Sequence, residues 1–220
     1  MTPRKLALIA GIRPRLLDLF CGAGGAAMGY HRAGFEVVGV DIVFQKHFPF
    51  EFHQADAMTY PLEGFDVIHA SPPCQGYSIS KNMGYADKAP KLIEAVRDRL
   101  SRTRCVTVIE NVVGAPLPSS ILLCGASFGL GIDGWDLCRH RLFESSIAML
   151  SPPCQHKRGH TIGVYGGGTN GWHVKHWGRA FTADEKRQAM GIDWMTAIEL
   201  SQAIPPAYTE WIGKQLMETL

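Results

Sequence analysis

The chain has 220 residues, 24 of them glycine, with 22 Lys and Arg against 20 Asp and Glu for a formal net charge of +2. That length suits one domain, or one domain with a small lobe, and 46% hydrophobic with 19% charged residues excludes a disordered tail. No apolar run reaches the roughly 18 residues of a membrane span. Residues 6–12 are too short and too closely followed by arginine for a secretory signal, and six scattered cysteines form no disulfide framework, so a cytoplasmic protein is expected.

In chain order, residues 16–20 are a short apolar run that reads as a buried strand, broken by the glycine-rich stretch 21–25. Residues 26–33 have helical character and stop at Gly34. Residues 35–40 are a second strand ending at Asp41, residues 51–55 a short third before Asp56, and residues 65–70 a fourth. Leu92, Ile93, Val96 and Leu100 carry the spacing of a helix with one buried face within 88–102, and residues 105–109 are a fifth strand. Repeated strand–helix units predict a mostly parallel α/β sheet with helices on both faces and ligands at the carboxyl ends of the strands. Seven glycines in residues 159–178 predict a loop-rich insert there rather than a helix.

The charge is uneven. Residues 139–187 hold eight Lys or Arg against three acids, a window of +5 that leaves −3 for the remainder, and five of the nine histidines fall there too. Such a half suits contact with a phosphate backbone, or is a solvated basic surface. At the strand ends, Gly22, Gly24 and Gly25 let a ligand approach the backbone and open a helix N-terminus, and Asp41 can accept both hydroxyls of a ribose. Two prolines precede Cys74 in Ser71-Pro-Pro-Cys-Gln-Gly-Tyr-Ser78, a rigid loop that presents a thiol as a candidate nucleophile. Cys105 and Cys124 sit in apolar runs and read as structural thiols. Glu110 ends the fifth strand, facing the same cleft.

Together these residues resemble the DNA cytosine-C5 methyltransferase family, over nearly the whole chain. Asp18-Leu-Phe-Cys-Gly-Ala-Gly-Gly25 looks like its first motif, and Asp41 and Asp56 like its ribose and adenine acids. Pro72-Pro-Cys-Gln75 resembles the catalytic loop, Glu110-Asn-Val112 the catalytic Glu motif, and Arg139-His-Arg141 the arginine pair. Arg179-Ala-Phe-Thr182 with Glu185, then Ala203-Ile-Pro-Pro206, resemble the last two motifs. The resemblance implies a Rossmann-like S-adenosylmethionine-dependent methyltransferase sheet with a small irregular target-recognition lobe. It divides the chain into a catalytic, cofactor-binding part (1–141), a minimal recognition lobe (142–178) and a return to the catalytic part with a C-terminal helix (179–220).

It also implies roles. Cys74 adds to C6 of a flipped-out cytosine in double-stranded DNA, Glu110 holds N3 and the exocyclic amine, Arg141 holds O2 and Arg139 supports the loop. S-adenosylmethionine is held by Asp18, Phe20, Cys21, Gly22, Ala23 and Gly25, by Asp41, Ile42, Asp56, Ala57 and Pro73, and by Gln202 and Ile204. DNA is contacted by Gln75, Ser78, Arg139, Arg179, Thr182, Lys157, Arg158 and Lys175. The alternatives are a tRNA-type cytosine-C5 methyltransferase and a non-catalytic DNA-binding homologue.

Leu137 stands where the family usually has Gln, and Ser201-Gln202 where it has Gly-Asn. The insert 142–178 is short for a recognition domain, which implies a recognition sequence of few bases or a partner that supplies specificity to a monomeric enzyme. Trp172 and Trp177 are expected to form the lobe's miniature core, and glycines 166–168 a tip near DNA. Cys138, His140, Cys154 and His156 could hold a structural zinc ion. Their spacing is not that of a standard finger, so contacts to phosphates or the surface are the preferred reading and no metal is expected.

Overall fold

A computed structural model describes residues 11–77, 90–156, 159–166 and 169–220, the side chains of Thr169 and Trp172 excepted. Ser78, Lys157, Arg158 and Gly167–Gly168 therefore lie outside the described residues, as does the side chain of Trp172.

Five strands run parallel: β1 (Arg15–Leu19), β2 (Glu36–Asp41), β3 (Glu51–Gln54), β4 (Val67–Ala70) and β5 (Val106–Asn111). With β6 (Ser120–Leu123) and β9 (Arg141–Ser145) they form a seven-stranded sheet in the order β3-β2-β1-β4-β5-β9-β6, in which β9 is antiparallel to both its neighbours. The runs β1 and β2 are apolar on both faces because helices cover both. On one face lie α1 (Gly25–Arg32) and α6 (Pro206–Thr219), packed on Leu16, Val37, Val67 and Val108. On the other lies α2 (Ile93–Ser101), whose buried Ile93, Val96 and Leu100 meet Leu17, Val38, Ile68 and Ile109. The alternation of strand residues between these two clusters is the period-2 pleat.

A second, three-stranded sheet is built from β7 (Gly131–Ile132), β8 (Trp135–Leu137) and β10 (Thr161–Ile162). It packs on α4 (Ala183–Met190) and α5 (Ala197–Gln202) through Ile132, Leu137, Ile162, Phe181, Met190 and Leu200. The small lobe therefore does not begin at residue 142: its sheet already starts at Gly131, whereas Arg141–Ser145 belong to the large sheet. Trp135 and Trp194 flank its core. The stretch 159–178 also departs from the loop expectation, for α3 spans Thr169–Trp177. Of the glycines counted there, Gly171 alone falls inside the helix, so most of the helix-breaking residues only border it.

The junction of α1 and α6 is made by missing side chains. A Cβ at Gly29 would lie 2.0 Å from Thr209 Oγ1 and 2.1 Å from the Pro206 carbonyl, and one at Gly213 2.6 Å from Ala33 Cβ. Backbone meets backbone, and the Thr209 hydroxyl donates to the Ala26 carbonyl at 2.8 Å. Gly29→Ala should therefore destabilise the chain by about 1–3 kcal/mol through overpacking, read as a lower midpoint in urea with an unchanged slope.

Candidate active site

Three carboxylates gather at the carboxyl ends of the central strands, on the face covered by α1 and α6. Strand register places them: Asp18 pairs with His69 across β1 and β4, and His69 with Val108 across β4 and β5, so Glu110 lies two residues further along the same face. Asp18 is wholly buried. The Ala27 amide faces it and favours the ionised form, yet neither carboxylate oxygen reaches hydrogen-bond geometry. Burial, with Asp41 and Glu110 adding repulsion, holds its pKa well above the ordinary carboxylate range.

Asp41 closes β2, and its carboxylate accepts from the Gly22 and Val43 amides, each at 3.0 Å. This fixes the carboxylate above the turn that follows β1. The turn is unusual: Phe20 has φ 60°, a left-handed conformation rare for a bulky residue, and Gly22 follows at φ 48°. The glycines divide their work. Gly22 faces open space, so a ligand can approach its backbone, whereas a Cβ at Gly25 would meet the Ile204 carbonyl at 2.4 Å. Gly25 thus permits close packing of the returning chain, as does Gly24 against Phe48 and Pro49. Ile42, Val43 and Phe44 stand exposed beside Asp41, an apolar edge next to the carboxylate. Asp56 is exposed and accepts from the Met58 amide at 2.8 Å. Cys21, Ala23 and Ala57 are buried, and Ala23 and Ala57 pack into the hydrophobic clusters. Gln202 is exposed and lines a cavity of about 600 Å³ with Ser201, Thr182 and Tyr165, on the side of the small lobe.

Cys74 sits half-buried in the loop after β4, next to a buried Pro72, a half-buried Pro73 and an exposed Gln75. The neighbouring Asn111 pins this loop to β5: its side-chain amide donates to the Pro72 carbonyl at 2.9 Å, while its oxygen accepts from the Val112 amide at 3.0 Å. Burial pushes the Cys74 thiol up and Glu110 pushes it further, while Arg141 and Arg139 pull it back. Glu110 itself is raised by burial against the opposing pull of Arg141, Arg139 and the Ser71 hydroxyl.

The Glu110–Arg141 pair, Nε to Oε1 at 3.1 Å with both side chains over nine-tenths buried, follows from the antiparallel register of β5 and β9. Glu110 pairs with Phe143, so Arg141 is its diagonal neighbour on the same face. Behind Glu110 runs a buried chain of hydrogen bonds: Tyr30 Oη to His69 Nδ1 at 3.0 Å, His69 Nε2 to Ser71 Oγ at 2.8 Å, and Ser71 to Glu110. Burial lowers the His69 pKa to about 3, which keeps the ring neutral, and raises Tyr30. The neutral ring has one N–H, so one of its nitrogens donates along this chain and the other accepts.

Arg139 has a different place from the one expected. It is fully buried, donating through Nε to Ala203 O at 2.9 Å, through Nη2 to Ser201 O at 2.9 Å and through Nη1 to Val164 O. Burial lowers its pKa to about 9. A guanidinium so enclosed is a strut and cannot reach DNA, which corrects its assignment as a contact residue. Arg179 is engaged by Glu185 and by Asp133 at 3.5 Å, over the Phe181 ring. Thr182 caps α4 in a reciprocal capping box with Glu185, so its hydroxyl serves the helix terminus first. Lys175 is exposed on α3.

Comparison with known proteins accords with this geometry. The profile of the C-5 cytosine-specific DNA methylase family matches residues 14–116. The type II methyltransferase M.HgiGI of Herpetosiphon aurantiacus is 30% identical over 121 residues, covering 47% of this chain and 94% of that relative. The chain belongs to the C-5 cytosine-specific DNA methylase family. A longer relative, the type II methyltransferase M1.HphI of Haemophilus parahaemolyticus, is 33% identical over 85 residues, which are 31% of this chain and 23% of that protein.

Two solved structures share the fold. A prophage-encoded DNA modification methyltransferase from E. coli superposes with a TM-score of 0.59 at 18% identity, covering 93% of this chain and 99% of that one. The Dnmt2 methyltransferase of S. pombe does so with 0.60 at 14%, covering 94% and 99%. In this methylase, sequence reasoning missed Tyr30 and His69, isolated polar residues in a helix and an apolar strand, and gave Ser71 no role beyond opening the Cys74 loop. The signal was a histidine inside the fourth strand, a position that burial makes costly unless it is hydrogen-bonded. Among the described residues no helix is long and apolar enough to cross a membrane.

Asp18 binds its proton more tightly folded than unfolded. Its contribution to stability is therefore complete below the unfolded carboxylate range and is lost as pH rises through the folded value. Asp18→Asn should stabilise the ligand-free chain at neutral pH by roughly 1 to 3 kcal/mol and flatten the pH dependence of its unfolding free energy.

Proposed function

We propose that this methylase transfers a methyl group from S-adenosylmethionine to C5 of a cytosine flipped out of double-stranded DNA, at a short recognition sequence. The observation that carries the reading is the buried Glu110–Arg141 pair, electrostatically coupled to Cys74 on one side and to Asp18 on the other. The chain's own residues suit the cofactor. Open space at Gly22, an oriented Asp41 carboxylate and the exposed apolar edge 42–44 offer a nucleoside a backbone approach, a ribose acceptor and a hydrophobic face. Bound there, S-adenosylmethionine supplies an electrophilic methyl on a sulfonium centre.

Cytosine C5 is a weak nucleophile, and the residues correct that. The Cys74 thiolate forms a bond to C6, and Glu110 in its acid form gives a hydrogen bond or proton to N3 while accepting from the exocyclic amine. The ring electrons then move to C5, which becomes the nucleophile for the methyl group that bound S-adenosylmethionine would supply. A base takes the C5 proton, the Cys74–C6 bond breaks and the thiolate is restored. In this reading Arg141, held by Glu110 and donating to the His140 carbonyl at 2.8 Å, meets O2 of the flipped base. Asn111 keeps the Cys74 loop against the sheet throughout. The small lobe offers little surface for base edges, which supports a recognition sequence of few bases or a partner that supplies specificity.

Nucleoside mass spectrometry of DNA from a host lacking 5-methylcytosine tests the reaction. The modified base should accompany the wild type, and Cys74→Ser should lower transfer by several orders of magnitude. If the wild type leaves DNA unmodified but methylates tRNA, the substrate assignment falls.

The productive state carries one proton on the Glu110–Cys74 pair, which is kinetically the same as carboxylate with thiol. Hence kcat/KM should be bell-shaped in pH. Its acid limb should lie above the ordinary glutamate value of 4.5 and its alkaline limb above the ordinary thiol value of 9.0. Glu110→Gln should remove the alkaline limb along with most of the activity, leaving a rate that rises with formation of the Cys74 thiolate.

A further inference from the structure

Away from this cleft, three separate chain segments bring thiols and imidazoles together. Cys124 follows β6 and caps the 3-10 turn Gly125–Phe128. His140 lies between Arg139 and Arg141, just before β9, and Cys154 and His156 lie in the loop beyond β9. One ligand atom from each of Cys124, His140, Cys154 and His156 falls within 4.8 Å of all the others. Cys154 Sγ is 3.0 Å from His156 Nδ1 and 3.3 Å from His140 Nε2, and Cys124 Sγ is 3.7 Å from His156 Nδ1. Tetrahedral zinc with ordinary thiolate and imidazole bond lengths spaces its ligand atoms by about 3.3 to 3.8 Å.

We propose that Cys124, His140, Cys154 and His156 bind one structural zinc ion that clamps the strand carrying Arg141 to the 3-10 turn and the 154–156 loop. Soft thiolates with imidazoles select zinc over oxygen-seeking cations. The fifth residue of the cluster supports the assignment. Cys138 Sγ lies 4.0 Å from His140 Nδ1 and 4.0 Å from His156 Nε2, the ring nitrogens facing away from the proposed metal. A metal-bound imidazole needs an acceptor for its other N–H, and one sulfur here stands behind both rings. The clamp is also anchored from outside, since Ser127 donates to the Pro153 carbonyl at 2.8 Å next to Cys154.

Binding displaces the two thiol protons of Cys124 and Cys154 to solvent, and both imidazoles bind neutral. No electron changes hands. Sequence spacing argued against zinc because it looked for pairs within one loop, whereas this set takes its first ligand from Cys124, a residue that reads as an apolar-run thiol.

The test uses the full chain, purified under reducing conditions from zinc-supplemented cells. Elemental mass spectrometry should find one zinc per chain. Replacement by Co²⁺ should give a tetrahedral visible spectrum with a thiolate charge-transfer band. Cys154 is exposed, so Cys154→Ser should fold, as checked by circular dichroism, yet lose stoichiometric metal. Cys138→Ser should keep the stoichiometry at saturating zinc with affinity weakened about 10- to 100-fold. The proposal is overturned if the wild type neither retains zinc nor takes up Zn²⁺ or Co²⁺ on reconstitution. It is equally overturned if Cys154→Ser binds like the wild type, or if Cys138→Ser loses the metal while His140→Ala keeps it. These readouts do not involve methyl transfer and stand or fall apart from it.

Discussion

One buried guanidinium ties the molecule together. Arg139 donates to the backbone carbonyls of Val164, Ser201 and Ala203, which belong to the small lobe and to the chain returning towards the large sheet. Tyr208 adds a bond from its hydroxyl to the Arg139 carbonyl. Taking a guanidinium out of water is expensive unless its donors are met. The three carbonyls meet them here. Local order in two distant segments, around Val164 and around 201–203, therefore depends on one side chain. Arg141, two residues on, inherits its position from that anchor and delivers its own guanidinium to Glu110.

The cleft shows a division between support and exposure. Asn111, Ser71, His69 and Tyr30 are buried or nearly so, and each spends its hydrogen bonds on holding another residue still. Asp18 and Glu110 are buried acids with raised pKa values, a costly arrangement for the folded chain. Active sites are where such costs are tolerated, because the perturbed groups are the ones with work to do. Gly22 and the 42–44 edge remain open, on the side where the strand order reverses between β1 and β4.

The first half of the chain was legible in the sequence for a simple physical reason. Apart from the half-exposed edge strand β3, its strands are buried on both faces and read as apolar runs punctuated by glycine and acid, and β1 to β5 fall within a residue or two of the segments that predict them. The second half was not. Strands such as Gly131–Ile132 and Thr161–Ile162 are two residues long and leave no periodic trace. The helix over Thr169–Trp177 hides among glycines that turn out to flank it. At the site, Cys74, Glu110 and Asp41 stood out as polar residues at strand ends. What holds Arg139 was invisible, since the carbonyls of Val164, Ser201 and Ala203 that it meets lie far along the chain. The glycines carried an ambiguity too: a ligand was expected at Gly22, Gly24 and Gly25 alike, but Gly24 and Gly25 meet protein.

The close seating of α1 against α6 carries a consequence for the order of events during synthesis. The bond from Thr209 to Ala26 spans 183 residues. At a ribosomal pace of about 5–20 residues per second, the small-residue face of α1 waits roughly 10 to 40 s for the helix that covers it. Through that interval the face that carries α1 lacks α6. The nascent chain is thus a half-coated intermediate whose apolar face is available to chaperones or to other copies of itself until α6 emerges and covers it.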